Sequence, residues 1–250
     1  MNCRKVATLL LAAVSFAFAQ DSETLNIFAS LGFGFPTGGQ VFSSHTYDDN
    51  TLTERKDNYF NYGQGIKLEA GIQYFMMENV ALQLAFGFSG KVPRLEIQNN
   101  HNFTNAALLD SSISINYRSS LFGLKVLVVP RFEILELLNM YTGVGIGFFW
   151  NSLSYERSKT IGTNVDNFDG KIKSSPALGL LGLLGIDIPL SDLMAVFGEV
   201  AFEQLSFKWR KRIEDGLTIN YEKDAANLDA PLRAPGSNWQ IRAGIRFIVF

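Results

Sequence analysis

Large apolar residues recur at every second position through eight separate stretches of this chain. A period of two belongs to extended backbone, whose side chains point to opposite faces in turn. In the first stretch Leu25, Ile27, Ala29, Leu31, Phe33 and Phe35 share one face, against Asn26, Phe28, Ser30, Gly32 and Gly34. Tyr62, Ile66, Leu68, Ala70, Ile72 and Tyr74 form the second stripe, opposed by Gly63, Gly65, Lys67, Glu69, Gly71 and Gln73. Val80 to Phe88, Met140 to Trp150, Met194 to Phe202 and Trp239 to Val249 repeat the pattern. The fourth stretch changes phase near Ser120, from Ile113, Ile115, Tyr117 and Leu121 to Phe122, Leu124, Val126 and Val128. That change predicts a bulge or a change of surroundings along one strand. The sixth, Ala177 to Ile188, is apolar on both faces. Its three glycines, with Pro176 at its start, favour a strand over a buried helix.

The connections alternate in length. Short links lie near 76–79, 133–139 and 189–192; long polar ones span 36–61, 91–110, 151–175 and 208–235. Asp215-Gly216, ahead of Leu217-Thr218-Ile219, predicts a tight hairpin within the last long link. The expected architecture is therefore an all-β, eight-stranded antiparallel up-and-down barrel. Ten strands is the second choice if two hairpin extensions count as strands.

Alternation alone does not say whether the apolar face points in or out. The other face decides. It is dominated by glycine, alanine and serine, with isolated charges. Glycines weaken a solvated strand, but the inside of a narrow barrel needs small residues. The reading is an inverted protein, apolar outward and polar inward, spanning a bilayer with strands of about 9–11 residues. Phe33, Phe35, Phe86, Phe88, Phe148, Trp150, Trp209 and Trp239 fall near the loop ends of strands, and Tyr74, Phe132 and Phe247 near the turn ends. Two such belts are expected at the two interfaces. No helical span competes: the longest apolar run after residue 20, Pro176 to Ile186, stops at Asp187, well short of the roughly 20 residues a spanning helix needs.

The N-terminus reads as a secretory signal peptide over residues 1–19. Arg4 and Lys5 precede the apolar run Val6 to Phe18, and Ala17-Phe18-Ala19 fits a small-x-small cleavage pattern. The barrel then occupies residues 20–250. Cleavage removes two basic residues and no acidic one, taking the formal net charge from -2 to about -4. Such a balance gives no reason to expect a nucleic-acid partner. The lone Cys3 excludes a disulfide framework, and no cofactor or metal site is implied.

The stretch Arg242-Ala243-Gly244-Ile245-Arg246-Phe247-Ile248-Val249-Phe250 has a glycine, alternate hydrophobics and a terminal phenylalanine. It resembles the sorting signal by which barrel proteins meet the outer-membrane assembly machinery. Gly244, Phe247, Val249 and Phe250 would carry that signal, although Phe250 is out of phase with the stripe. Over residues 24–250 the chain resembles the small eight-stranded outer-membrane barrels, the OmpA/OmpX-like group. That resemblance implies a monomer in the bacterial outer membrane, in contact with its lipid and lipopolysaccharide and assembled by the barrel machinery. No periplasmic domain is expected after the last strand.

Three function classes follow. Lys67, Glu69, Glu199, Glu203, Arg242 and Arg246 sit on the inward face, where a low-dielectric interior requires charges to be paired. They are expected to close the lumen, giving a structural or surface-interacting barrel; a narrow channel for small solutes is the alternative. Lys208, Arg210, Lys211 and Arg212 form a basic cluster beside Trp209 that could contact lipid phosphates, against the default of a solvated face. An enzyme acting on lipid A would need a nucleophile, base and orienting group within reach. The only histidines, His45 and His101, lie in outer links. Ser43, Ser44, Asp48 and Asp49 are near His45 in sequence, which is weak support, so no catalytic residue is assigned.

Overall fold

A computed structural model describes residues 25–38, 40–49, 52–90, 94–100, 111–135, 138–161, 164–220 and 233–249. The signal-peptide reading and Phe250 fall outside them. In chain order the strands are β1 (Leu25–Pro36), β2 (Gln40–Asp49), β3 (Leu52–Phe60), β4 (Gly65–Met77), β5 (Val80–Gly90), β6 (Arg94–Asn100), β7 (Ser111–Leu135) and β8 (Leu138–Ile161). There follow β9 (Asn164–Ser174), β10 (Ala177–Ser191), β11 (Met194–Gln204), β12 (Ser206–Glu214), β13 (Leu217–Asn220), β14 (Arg233–Pro235) and β15 (Asn238–Val249).

Eight of these close a barrel. β1, β4, β5, β7, β8, β10, β11 and β15 pair antiparallel in sequence order, and β15 returns to β1 with Ala29 opposite Ile245. Closure leaves no unpaired edge within the bilayer, where an unsatisfied backbone group is costly. The sixth stretch is a strand, as its glycines suggested. In β10, Leu178, Leu180, Leu184 and Ile186 are exposed while Leu181 and Leu183 are buried.

The apparent phase change at Ser120 is a change of surroundings, not a bulge in β7. β7 keeps one register against β8 from Ser111↔Ile161 to Glu133↔Asn139. Its odd positions from Ser119 to Val129 are buried throughout. β7 and β8 have 25 and 24 residues, more than twice the about 9–11 that cross a bilayer. Their upper halves leave the membrane and continue as a sheet with β6, β9, β12 and β13. The extra strands are extensions of this kind, so the barrel has eight strands rather than ten.

The tight hairpin is present. Glu214 pairs with Leu217 across Asp215 and Gly216, both with positive φ (46° and 78°). Two left-handed residues in a row give the turn whose twist matches its strands, and Asp-Gly adopts it readily.

Inside the wall, large rings lie over glycines of the adjacent strand. Phe28 is opposite Gly71, Tyr141 opposite Gly185, Phe149 opposite Gly123 and Phe197 opposite Gly244. A Cβ added at any of these glycines would fall within 3 Å of the facing ring. The same holds for long charged side chains: a Cβ at Gly32 would meet Arg242, and one at Gly34 would meet Lys67. The inward glycines are thus seats for the groups that fill a narrow lumen.

The aromatic belts are occupied except at Trp209. Phe33, Phe35, Phe86, Phe148, Trp150 and Trp239 are exposed toward the loop end, and Phe132 and Phe247 toward the turn end. Tyr62 and Trp209, expected on the lipid face, are buried instead. Both lie beyond the spanning part of the wall, where the inward phase is apolar. There they pack with Leu205, Phe207 and Ala234 as a lid over the lumen. The Tyr62 and Phe207 rings meet edge to face at 5.2 Å.

Candidate functional site

Each inward charge is placed by the phase of its own strand: Lys67 and Glu69 on β4, Lys125 on β7, Asp187 on β10, Glu199 and Glu203 on β11, Arg242 and Arg246 on β15. All eight are buried, four cations and four anions. The balance has a physical reason, because an uncompensated charge in such an interior costs several kcal/mol (about 3–5 when one partner of a buried pair is removed).

The upper tier is a branched set of ion pairs. Glu199 lies directly across from Arg242 in the β11–β15 register. The Arg242 guanidinium pairs with both Glu199 and Glu69. Lys125 bridges Glu69 to Glu203, with its Nζ 2.6 Å from Glu203 Oε1. Lys67 Nζ stands 3.7 Å from Glu203 Oε2, which also accepts a 3.0 Å hydrogen bond from Asn238 Nδ2. Glu199 further accepts a bond from the Tyr141 hydroxyl at 3.0 Å. Contacts of this multiplicity offset the desolvation of the charges.

A lower tier lies toward the turn end. Arg246 pairs with Asp187, and Arg131 Nη2 approaches the same carboxylate at 3.2 Å. The Arg246 guanidinium is sandwiched by the rings of Tyr141 and Phe197, 5.0 and 5.1 Å from their centroids. Tyr141 therefore joins the tiers, with its ring on Arg246 and its hydroxyl on Glu199.

Of the six charges singled out in the sequence, five share the upper tier, and Arg246 belongs to the lower one. Lys125, Asp187, Arg131 and Tyr141 were missed. Lys125 occupies the inward phase between Leu124 and Val126, which alone could have revealed it. Asp187 had been read only as the end of an apolar run. A cavity bordered by Lys67, Glu69, Lys125, Glu203, Phe149 and Gln240 measures about 10 Å³, around the minimum for a single water. The β7–β8–β10 side contributes Leu121, Leu127, Val129, Phe149, Leu181 and Leu183, so the lumen is filled by apolar and paired charged side chains.

Above this, the cap and rim are distinct. Burial pushes the Tyr62 phenol up to about 12, opposed by hydrogen bonding with Ser174 and Trp209. Lys208 and Arg210 are exposed and Lys211 is half-buried. Arg212 departs from this cluster: its Nε donates to the Tyr155 hydroxyl at 2.6 Å and its Nη2 lies 2.6 Å from Glu214. Burial raises the Tyr155 phenol, with the Arg212 hydrogen bond opposing.

In β15, Phe247 and Val249 are exposed at the turn end opposite Ile27 and Leu25, and Gly244 lies under the Phe197 ring. His45 lies in β2, and His101 falls outside the described residues.

A closed eight-stranded barrel with an apolar exterior, two aromatic belts and a charged interior is a transmembrane β-barrel, and its fold is that of a bacterial outer-membrane barrel. The chain is similar to a major outer membrane protein from Thermus thermophilus, with a TM-score of 0.52 and 11% identity over 92% of this chain and 100% of that one. The N-terminal β-barrel domain of Pseudomonas aeruginosa OprF aligns at a TM-score of 0.36 and 9% identity, over 90% of this chain and 97% of its own. Neisserial surface protein A aligns at 0.37 and 9%, over 91% and 97%. No protein-family model and no curated protein matches the sequence.

Proposed function

We propose that this outer-membrane barrel is non-conducting and acts as an anchored scaffold, structural or surface-interacting, that carries the raised sheet of β6 to β9, β12 and β13. The observation that supports this reading is the charge-balanced network. Lys125 and Arg242 each bind two carboxylates, and these two cations tie β4, β7, β11 and β15 together across the lumen. A pore along the axis would have to separate at least two of these pairs in a low-dielectric interior. The alternative, a narrow channel for small solutes, requires that rearrangement to be frequent.

Recordings from planar bilayers containing the pure protein test the reading. The expected result is no steady conductance in the wild type. A steady wild-type conductance that Glu199→Ala abolishes would overturn it.

A further inference from the structure

The outward face of the raised sheet carries cations in direct opposition. Lys208 of β12 stands opposite Arg233 of β14, and one row higher Lys211 of β12 stands opposite Lys173 of β9. Lys171 follows at the next outward position of β9, opposite Ile213. The register shift between Trp209 and Lys211 explains the crowding. An extra residue there turns Arg210 and Lys211 to the same side, while Trp209 and Arg212 stay inward. Like charges directly opposite one another weaken an antiparallel pair. Among the described residues, the ion pairs involve none of Lys171, Lys173, Lys208, Lys211 or Arg233.

Height above the membrane identifies the complement. The Ser175 amide donates to the Lys208 carbonyl at 2.8 Å. Three residues further along the chain, Leu178 is 71% exposed and pairs with Phe148 of the outer aromatic belt. The cations thus begin roughly 10 Å along the strand from Leu178, an exposed aliphatic residue level with that belt, a depth that Lys and Arg stems can span to reach headgroups. One row farther out on the same face Glu156 stands opposite Asp169 across β8 and β9, and Asp215 is exposed beside Asp169 at the hairpin turn. Basic rows on the membrane side of an acidic row match a layer of anions at the membrane surface rather than a soluble polyanion approaching from outside.

We propose that Lys171, Lys173, Lys208, Lys211 and Arg233 form a binding shelf for the phosphate groups of outer-leaflet lipid, of which phosphorylated lipid A is the suited kind. Ammonium and guanidinium groups both donate to phosphate oxygens, and Arg adds a two-pronged contact. The proposal goes beyond the closed-lumen reading and is independent of it, because bound lipid and conductance are separate measurements.

The test uses the full chain reconstituted in phosphatidylcholine nanodiscs doped with phosphorylated or dephosphorylated lipid A. The protein is then extracted in mild detergent, and retained lipid is counted by native mass spectrometry. The expected result is retention of the phosphorylated form only. Retention should fall at least roughly tenfold in the variant Lys173→Gln/Lys208→Gln/Lys211→Gln/Arg233→Gln. Its fold is checked by heat-modifiable gel mobility, and a Lys173→Arg/Lys208→Arg/Lys211→Arg variant should retain lipid as the wild type does. Equal retention of the two lipid forms, or unchanged retention by the Gln variant, would overturn the proposal. So would binding of heparin that the Gln substitutions abolish while lipid retention stays the same.

Discussion

Two glycines of β10 receive the same substitution in very different surroundings. At Gly185 an added Cβ would lie 2.3 Å from Tyr141 Cζ, 2.5 Å from its hydroxyl oxygen and 2.7 Å from Cε2. Ordinary carbon contacts are about 3.5–4.0 Å, so the ring has to move by more than about 1 Å. It is not free to do so cheaply. Its hydroxyl is bound to Glu199, and its face carries the Arg246 guanidinium. Overpacking of this kind costs about 1–3 kcal/mol. Losing a hydrogen bond to a charged group costs about 1.5–3 kcal/mol. These effects share one ring and do not simply add, which leaves about 3–5 kcal/mol for Gly185→Ala. At Gly182 nothing lies within 4 Å, and the added methyl faces lipid. Gly182→Ala should change stability by less than about 0.5 kcal/mol. Guanidinium unfolding of the protein in lipid vesicles, followed by the gel mobility of the folded barrel, measures both. Adding Tyr141→Leu to Gly185→Ala should recover the overpacking part but not the hydrogen bond. Equal stabilities for Gly185→Ala and Gly182→Ala would refute the view that the inward glycines are seats for facing rings.

Other outcomes follow from the same geometry. Arg242→Met leaves Glu69 and Glu199 short of their shared cation and should cost about 3–5 kcal/mol in the same unfolding assay. Adding Glu199→Gln should restore part of that loss; no recovery would separate Arg242 from the charge balance. The Tyr62 phenol should ionise near pH 12, seen as loss of its ultraviolet titration step in Tyr62→Phe. Its folded value lies above the unfolded value near 10, so its contribution is complete below about pH 10 and is lost as pH rises toward 12. Gly216→Ala puts a side chain at φ 78° and should loosen the β12–β13 hairpin by about 1 kcal/mol, read as faster protease cleavage there with the barrel intact. Intact-mass measurement of the exported protein should place its first residue at Gln20.

The wall of the barrel was legible because its signal is local. Each strand records, within its own ten or so residues, which face meets lipid, and the eight stripes locate all eight barrel strands. The interior was legible only in part. Glu199 and Arg242 were both picked out by the phase of their own strands, and they face one another because β11 and β15 are consecutive barrel strands. The bridges from Lys125 to Glu69 and Glu203 cross the lumen between strands that are not neighbours, and no pattern along one strand carries that distance. Lys125 was hidden for a second reason: the apolar stripe beside it shifts phase at Ser120, which obscured the inward face of β7. Trp209 was misplaced because an interfacial tryptophan and one packed within a lid over the lumen have the same spacing along the chain.

By itself, the order of apolar and polar residues determined an inverted eight-stranded barrel, the direction of its faces and the lengths of its links. Burial in a bilayer imposes a two-residue period on every spanning strand, so that information had to be written locally. The tertiary structure decided which charges meet, which glycine seats which ring, and where the cations of β9, β12 and β14 line up above the lipid. Those depend on closure and register, which bring together residues far apart in the chain, as in Lys125 and Glu69, whose positions differ by 56.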